Sequence, residues 1–594
     1  MYINHVWIKG FRNIRDTDFQ VNKRLILIGE NNSGKSNILK AITLPLSPSA
    51  DRFFSRTMTL RDFNNTDKDI FYKYVRDNFD KLTGDQCDDQ LLKEFITCIP
   101  KVTVRLQFEM DNESKYYFQK LITNSDREED EFVYQIEYQY QIDNPNKLID
   151  HLKNIKNILQ SDEDAELLDI QMNLLPMNLY KAHIVVPGKN ESVSYEIIKN
   201  LNFFTLVAER DGFSANRSKI GSSAIIELLN RNIDDRSKMN IEKGYNDFFK
   251  EIKGSTRMDE VFNWAKYTKN IINATDFFGD ISVLPNMPPM NSLLNNIQLG
   301  FDNEPLSQQG LGYRNLVYLT AMINALESDD EIPFAILSLE EPEAHLSNEN
   351  QKLLMSFLDS TSQYAPNFQL MYSTHNVNFL PKLSLEDVVI INKGEAVSVK
   401  SEMNVDDIEY LVRNPNLDIY KLLFSTNVML VEGLSEELLI KSVLRSKKNS
   451  LNNIEIISFH KGFSSIIKLW KKINQNSNRK LAVIRDFDKE SDAKKRTESL
   501  EENGKIYVGT TMNYTLEDDI IKNNSKTLSI FFEQHLDWPD EVLKNVDSIL
   551  KHWKNKKGAK GEAMFEISTF IGTEELKDFV LPEHIEKAIN FFGD

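Results

Sequence analysis

The apolar run Leu25-Ile26-Leu27-Ile28 breaks directly into Gly29-Glu30-Asn31-Asn32-Ser33-Gly34-Lys35-Ser36. A buried strand that empties into such a loop requires an α/β unit in which a strand end, a loop and a helix start meet. The glycines let backbone N–H groups turn toward an anion, Lys35 can reach the β and γ oxygens of a nucleotide, and Ser36 can ligate Mg²⁺. Gly29, Asn31, Asn32, Gly34, Lys35 and Ser36 are the candidate phosphate cradle, with ATP and Mg²⁺ as the expected cofactors. This spacing arises by chance in a chain of 594 residues only a few per cent of the time, roughly, at average residue usage.

The supporting pieces follow in order. Phe334–Leu339 reads as an apolar strand ending in Glu340 and Glu341, where the first carboxylate helps hold Mg²⁺ and the second polarises the attacking water. A competing reading makes Glu341 an N-terminal helix charge favoured by the dipole. His375, in Tyr372-Ser373-Thr374-His375-Asn376, follows another apolar strand and is placed to contact the γ-phosphate. A lone histidine there would more often be structural, and the order of motifs favours function.

A second constellation lies further along. Val428-Met429-Leu430-Val431 is a run of the kind buried in a parallel sheet; it ends at Glu432 and Gly433, with Glu436 four residues beyond Glu432 on a predicted helix. Leu481-Ala482-Val483-Ile484 runs into Asp486 and Asp488, which an extended segment projects to one side. An all-oxygen set of this kind suits Mg²⁺ or Mn²⁺, and two ions there would activate water and steady a leaving oxygen in phosphodiester cleavage. Glu432 is either a ligand or the base; the residues leave both open. Glu517 and Asp519 in Leu516-Glu517-Asp518-Asp519 are candidates for further ligands.

Composition narrows the classes. With 41% hydrophobic and 27% charged residues the chain reads as globular. No run approaches the roughly 20 apolar residues of a membrane span, and Met1-Tyr2-Ile3-Asn4-His5 lacks a signal peptide's character, so no membrane association and a cytoplasmic location are expected. Cys87 and Cys98 are too few for a disulfide framework or a cysteine-held zinc. The formal charge of −18 argues against coating nucleic acid over the whole surface but allows a local site. Lys551, Lys554, Lys556, Lys557 and Lys560 cluster near the C-terminus; Asp126 to Glu131 is acidic, and solvated faces account for either run taken alone.

The expected organisation is two α/β units packed together: residues 1–214 and 286–405 forming one domain, 406–594 a second. Between 215 and 285 the spacing turns helical, with Ile225, Leu228 and Leu229, then Tyr245, Phe248, Phe249 and Ile252. That stretch is either a dimerisation insert or core helices of a larger domain.

Phe11-Arg12-Asn13, the GENNSGKSN loop, the EEPEAHL strand end and the STHN segment resemble the ATP-binding-cassette ATPases of the RecF, SMC and OLD (overcoming lysogenization defect) group. The resemblance implies two heads sandwiching ATP, with a signature segment from each. The candidate is Leu306 to Gly312, carrying Ser307 and Gly310, which lacks the paired glycines of the usual LSGGQ; Gln107 is a weak glutamine-loop candidate. The Glu432–Glu436 and Asp486–Asp488 pair resembles the TOPRIM fold of topoisomerases, primases and OLD nucleases. There Lys560 aligns with the lysine OLD nucleases use near the scissile phosphate, where it would offset developing charge; the alternative is an ordinary surface lysine.

An ABC-type ATPase, RecF/SMC-like and interrupted by a helical insert, followed by a C-terminal TOPRIM domain is the OLD-family layout. Membership implies an ATP-binding, metal-dependent DNA endonuclease or nickase acting in defence against phage, as in Gabija or retron systems. It also implies a homodimer or tetramer and a helicase-like or nucleic-acid partner. Two alternatives stand beside it. One is an SMC- or RecF-like ATP-gated DNA clamp whose TOPRIM unit is structural; the other, a topoisomerase or primase, would need a tyrosine on a DNA-gate domain or a zinc module. A nucleotide-dependent arrangement of the heads that restrains or positions the nuclease unit, transmitted through about residues 401–423, is the expected coupling.

Overall fold

In the strand β3 (Arg24–Ile28), all five residues are buried, and its two faces point into different cores. Leu25 and Leu27 belong to one apolar cluster, Ile26 and Ile28 to another, as the two-residue period of a strand requires. The computed structural model describes the chain except residues 49–57, 85–88, 124–131, 162–169, 190, 207–232, 257–259, 261–283, 295–299, 302–303, 306–307, 309, 311–312, 314–315, 318, 321–322, 325–333, 345, 365–367, 377–383, 414–420, 423–424, 426, 447–452, 460–462, 476, 488–490, 557 and 594.

Ahead of β3 lie β1 (Tyr2–Phe11) and β2 (Ile14–Gln20); after it come β4 (Ser47–Pro48), β5 (Val102–Glu109), β6 (Tyr134–Ile142), β7 (Tyr180–Val186) and β8 (Glu191–Ser192). Apart from β3 and β4, these make an antiparallel sheet of order β2-β1-β5-β6-β7-β8. The strict alternation of Val102, Val104, Leu106 and Phe108 buries one face of β5. Gln107 points to the other side and pairs with Gln135 across the sheet at 2.9 Å.

A second sheet is built from β9 (Asn202–Leu206), β12 (Ala335–Glu340), β13 (Phe368–Thr374), β14 (Val388–Asn392) and β15 (Glu395–Ser398), joined to β3 and β4. Its order is β15-β14-β3-β13-β12-β9-β4, parallel except where β14 meets β15. The small pair β10 (Gly300–Phe301) and β11 (Glu304–Pro305) stands apart from it. The helix Lys35–Thr43 lies between the two large sheets, contributing Ile38, Leu39 and Ile42 to the core they share.

The C-terminal unit has four parallel strands, β16 (Asn427–Val431), β17 (Ile454–Ser458), β18 (Lys480–Arg485) and β19 (Ile506–Thr510), in the order β17-β16-β18-β19. Its faces divide as those of β3 do. Met429, Val431, Ala482 and Ile484 pack with helices Leu516–Leu536, Val546–Asn555, Ala559–Phe570 and Glu583–Gly593. Val428, Leu430, Leu481 and Val483 join Trp470 in a cluster that runs without a break into Ile26, Leu337 and Tyr372 of the first unit. The units therefore share a core, in keeping with the expected packing of two α/β units together.

Helix Asp235–Ser255 carries Tyr245, Phe248, Phe249 and Ile252 but buries no residue, and Phe248 is exposed. Ile225, Leu228 and Leu229 lie outside the described residues.

Candidate functional site

Two sites form at the C-terminal ends of the two parallel sheets, where strand carbonyls stop and loops begin. At the first, the phosphate loop turns out of β3 into helix Lys35–Thr43. Gly34 takes a left-handed conformation (φ 120°) as its N-cap and supplies no side-chain cap, so the helix start presents backbone N–H groups. A Cβ on Gly34 would stand 2.8 Å from Asn13 Nδ2, and one on Gly29 2.4 Å from the Ile391 carbonyl. Both glycines are demanded by close approach as well as by backbone freedom.

Lys35 is buried, and its ammonium donates to the carbonyls of Gly29 (2.8 Å) and Glu30 (2.9 Å). Burial pulls its pKa down, against the opposing pull of Glu341, Glu343 and Glu30. Asn31 and Asn32 are exposed on the loop, Asn32 with φ 63°, and Ser36 is half-buried in the first helical turn.

Strands β12 and β13 pair in register, setting Glu340 opposite Ser373. Glu341 then turns into a left-handed conformation (φ 44°), its N–H donating to the Ser373 carbonyl at 3.0 Å. His375 Nδ1 lies 3.2 Å from Glu341 Oε1. Loop, carboxylate and histidine are thus brought together. Ser307 lies outside the described residues; Gly310 is exposed and nothing lies within 4 Å of where its Cβ would be.

Glu343 belongs to the site although sequence reading gave it no role. It is 2% exposed; Thr374 Oγ1 donates to its Oε1, and Oε2 has no hydrogen-bond partner among the described residues. Burial raises its pKa. Its spacing two residues beyond Glu341 was the only available signal. Arg12, Asn13, Asn37, Arg61, Asp62, Phe63 and Asn65 line an open cavity of about 420 Å³ against the same helix.

At the second sheet, Glu432 leaves β16 and Asp486 leaves the neighbouring β18. Glu432 Oε2 accepts the Asp486 N–H at 2.9 Å, tying the two strand ends together. Glu436, 5% exposed on helix Leu434–Ser446, accepts the Gly433 N–H at 3.0 Å. A Cβ on Gly433 would sit 3.2 Å from that same carboxylate oxygen. Burial, then Glu517 and Glu432, push the Glu436 carboxyl up to about 7, against Lys560.

Glu517 is 1% exposed at the start of helix Leu516–Leu536. Lys560 Nζ reaches its Oε1 at 2.8 Å as an ion pair, without an aligned hydrogen bond at that oxygen. Burial alone would lower the Lys560 pKa, but Glu517, Glu436 and Asp486 together raise it. Lys560 is thus an exposed side chain whose ammonium reaches the buried Glu517.

Asp519 is turned elsewhere. It accepts the N–H groups of Met512 (2.9 Å) and Asn513 (2.8 Å) and the Asn513 side-chain amide (2.6 Å). Asp519 lies in the first turn of helix Leu516–Leu536, whose side chains lean back toward the helix N-terminus, and its carboxylate holds the loop after β19. Asp518 closes a capping box with Thr515 and pairs with Lys554. Asp488 lies outside the described residues.

The donor set is all oxygen, and a carboxyl pushed up by burial and then by neighbouring carboxylates is what a divalent cation would relieve. The residues fit such an ion in kind. Among the described residues, however, no three acidic or histidine side chains converge closely enough to form a cage.

Residues 1–380 match the family model described as the AAA ATPase domain, and residues 423–488 that described as the overcoming lysogenization defect protein-like TOPRIM domain. The chain is 24% identical over 501 residues to a protein named endonuclease GajA of Bacillus cereus (strain HuB5-5), covering 73% of this chain and 66% of that protein, just under two thirds of its length. Similar solved structures include the SMC head domain from Thermotoga maritima, with 14% identity, 67% of this chain, 99% of that one and a TM-score of 0.28. The recombination mediator RecF with ATP gives 14%, 67%, 99% and 0.30. The C-terminal region of the Burkholderia pseudomallei OLD protein gives 19%, 29%, 98% and 0.23. No helix among the described residues is long and apolar enough to cross a membrane.

Proposed function

The chain belongs to the AAA ATPase-domain family and carries an OLD-like TOPRIM domain, and from that premise we propose that it is an ATP-binding, divalent-metal-dependent DNA endonuclease or nickase. The observation that carries the reading is the buried group at the ends of β16 and β18. Glu436 there holds a proton up to about 7 among Glu517 and Glu432 while Lys560 pairs with Glu517. A structural domain gains nothing from packing like charges together out of water; a site that recruits cations and phosphate does.

Glu432, Glu436, Asp486 and Glu517 would hold Mg²⁺ or Mn²⁺, with Asp488 next in sequence. When bound, the cations supply an activated water and charge for the leaving oxygen. Lys560 offsets charge developing on the phosphate, and Glu432 is either ligand or base.

In the ATPase unit, Lys35, Ser36 and the helix start hold the phosphates and Glu340 the Mg²⁺. Glu341, oriented by His375, positions water, and the Arg12–Asn65 cavity beside helix Lys35–Thr43 has room for the nucleoside. Ser307 and Gly310 serve a second head in a homodimer or tetramer, and helix Asp235–Ser255, with no buried residue, is the candidate oligomerisation element. A role in defence against phage, with a helicase-like or nucleic-acid partner, completes the reading.

The test is cleavage of supercoiled plasmid and linear phage DNA in Mg²⁺ or Mn²⁺, with and without ATP, beside Glu432→Ala and Asp486→Asn. Nicked or linear product that disappears in both variants supports the nuclease. Intact ATPase activity with no cutting by the wild type, its partner present, would favour the ATP-gated clamp.

A further inference from the structure

The first turn of the phosphate loop is held from the other unit. Arg479, which immediately precedes β18, is 8% exposed, and its Nη2 lies 2.8 Å from Glu30 Oε1, within the loop itself. The same guanidinium donates through Nη1 to Asn474 Oδ1 at 3.3 Å. Asn392, the last residue of β14, donates to the Ile473 carbonyl at 3.1 Å and to Asn474 Oδ1 at 3.4 Å. Its neighbour Ile391 is the residue whose carbonyl packs on Gly29. Contacts therefore run in a ring from Gly29 and Glu30 through Arg479, Asn474 and Asn392 back to Gly29.

Nothing in the sequence motifs assigned a role to Glu30 or Arg479. We propose that Arg479 is a positioning residue for nucleotide binding, contributed by the TOPRIM unit, and that this ring is the route by which ATP and the carboxylate site sense each other. The proposal rests on reading Gly29–Ser36 as the nucleotide loop. Glu30 serves both ends: its carbonyl takes the Lys35 ammonium, and its carboxylate takes Arg479. When Lys35 turns toward phosphates it leaves the Glu30 carbonyl, and Glu30 can follow only as far as Arg479 permits. Arg479 immediately precedes the strand that runs into Asp486, so a displacement at Glu30 has a stiff path of six residues, Lys480–Arg485, each paired to a neighbouring strand, to the second site. Coupling by a shared element is reciprocal: if ATP alters the carboxylate site, metal there alters ATP affinity by the same factor.

ATP affinity of the full chain, measured by calorimetric titration in Mg²⁺, is compared for wild type, Glu30→Gln, Arg479→Met and the double variant. Each single variant is expected to weaken ATP binding by roughly 5- to 20-fold, and the double variant no further than the weaker single, because both remove one link. Arg479→Lys should behave as Arg479→Met, since an ammonium does not bridge Glu30 and Asn474 as the planar fork does. Hydrogen exchange of residues 474–485 should respond to ATP in the wild type and not in Glu30→Gln, a half-exposed position that carries the test alone should Arg479→Met fail to fold. Unchanged ATP affinity in folded variants, strictly additive losses, or an exchange response that survives Glu30→Gln would overturn the relay. Wild-type protein that binds no ATP would instead remove the nucleotide reading beneath it.

Discussion

Replacing Glu436 by Gln should stabilise the metal-free protein, and only above a defined pH. The folded carboxyl titrates near 7 against an ordinary 4.5, a gap of 2.5. Below 4.5 both folded and unfolded chains carry the proton, and the site costs nothing. Between 4.5 and 7 the unfolded chain releases its proton while the folded one keeps it, so the native state loses stability as pH rises. Above 7 the loss is complete, at about 3 kcal/mol from roughly 1.4 kcal/mol per pH unit. The side chain is 5% exposed, so screening by water takes little from this figure.

A chain of two units need not unfold in one step. The assay is therefore the difference in melting temperature between Glu436→Gln and wild type from pH 4.5 to 8.5 in a chelator. That difference should be near zero at the acid end, open through pH 5 to 7 and level off above. Adding Mn²⁺ at pH 8 should close or reverse it, because a cation lowers the Glu436 pKa and the glutamine cannot exploit it. A pH-independent difference, or one that widens toward acid, would refute both the buried-carboxyl argument and the metal-site reading built on it.

Asp519→Ala removes three acceptor contacts from the Met512–Asn513 loop and should cost about 2–4 kcal/mol, since hydrogen bonds to a charged group each contribute roughly 1.5 kcal/mol or more and partly overlap; denaturant unfolding checks it, and unchanged Mn²⁺ affinity would confirm a loop-holding role. Gly34→Ala forces a side chain into φ 120° and within 2.8 Å of Asn13, so nucleotide titration should show ATP binding lost with the fold retained by circular dichroism. Thr374→Val strips the hydroxyl from buried Glu343 and should destabilise by about 1–3 kcal/mol, with the loss largest at alkaline pH, where the carboxyl is forced to ionise. Lys560→Met leaves Glu517 buried without its cation; plasmid cutting should fall by about 10²-fold or more, and the apparent pKa for metal binding should move upward because Lys560 no longer draws Glu436 down.

Local chemistry was written into the chain where a short segment completes its own geometry. Gly29 to Ser36, Glu340 with Glu341, and Glu432 with Glu436 each combine a strand end with the first residues beyond it, and alternation of side chains along a buried strand is a property of the backbone alone. The same holds for the division of β3 into Leu25 and Leu27 on one face and Ile26 and Ile28 on the other. Other facts needed distant segments to meet. Asp519 and Glu517 look alike in sequence two residues apart, yet one turns to a loop and the other to Lys560, because the helix start rotates them to different neighbours. Glu343 became a buried acid only when β13 placed Thr374 over it. The expected coupling segment, about residues 401–423, lies partly outside the described residues, and a direct bridge, Glu30 to Arg479, spans nearly 450 positions that no periodicity connects. Strand ends and loop conformations are decided by nearest-neighbour sterics and polarity, which a sequence displays; desolvation, ion pairing and contact between sheets depend on which surfaces exclude water together, and that is settled only by the packed chain.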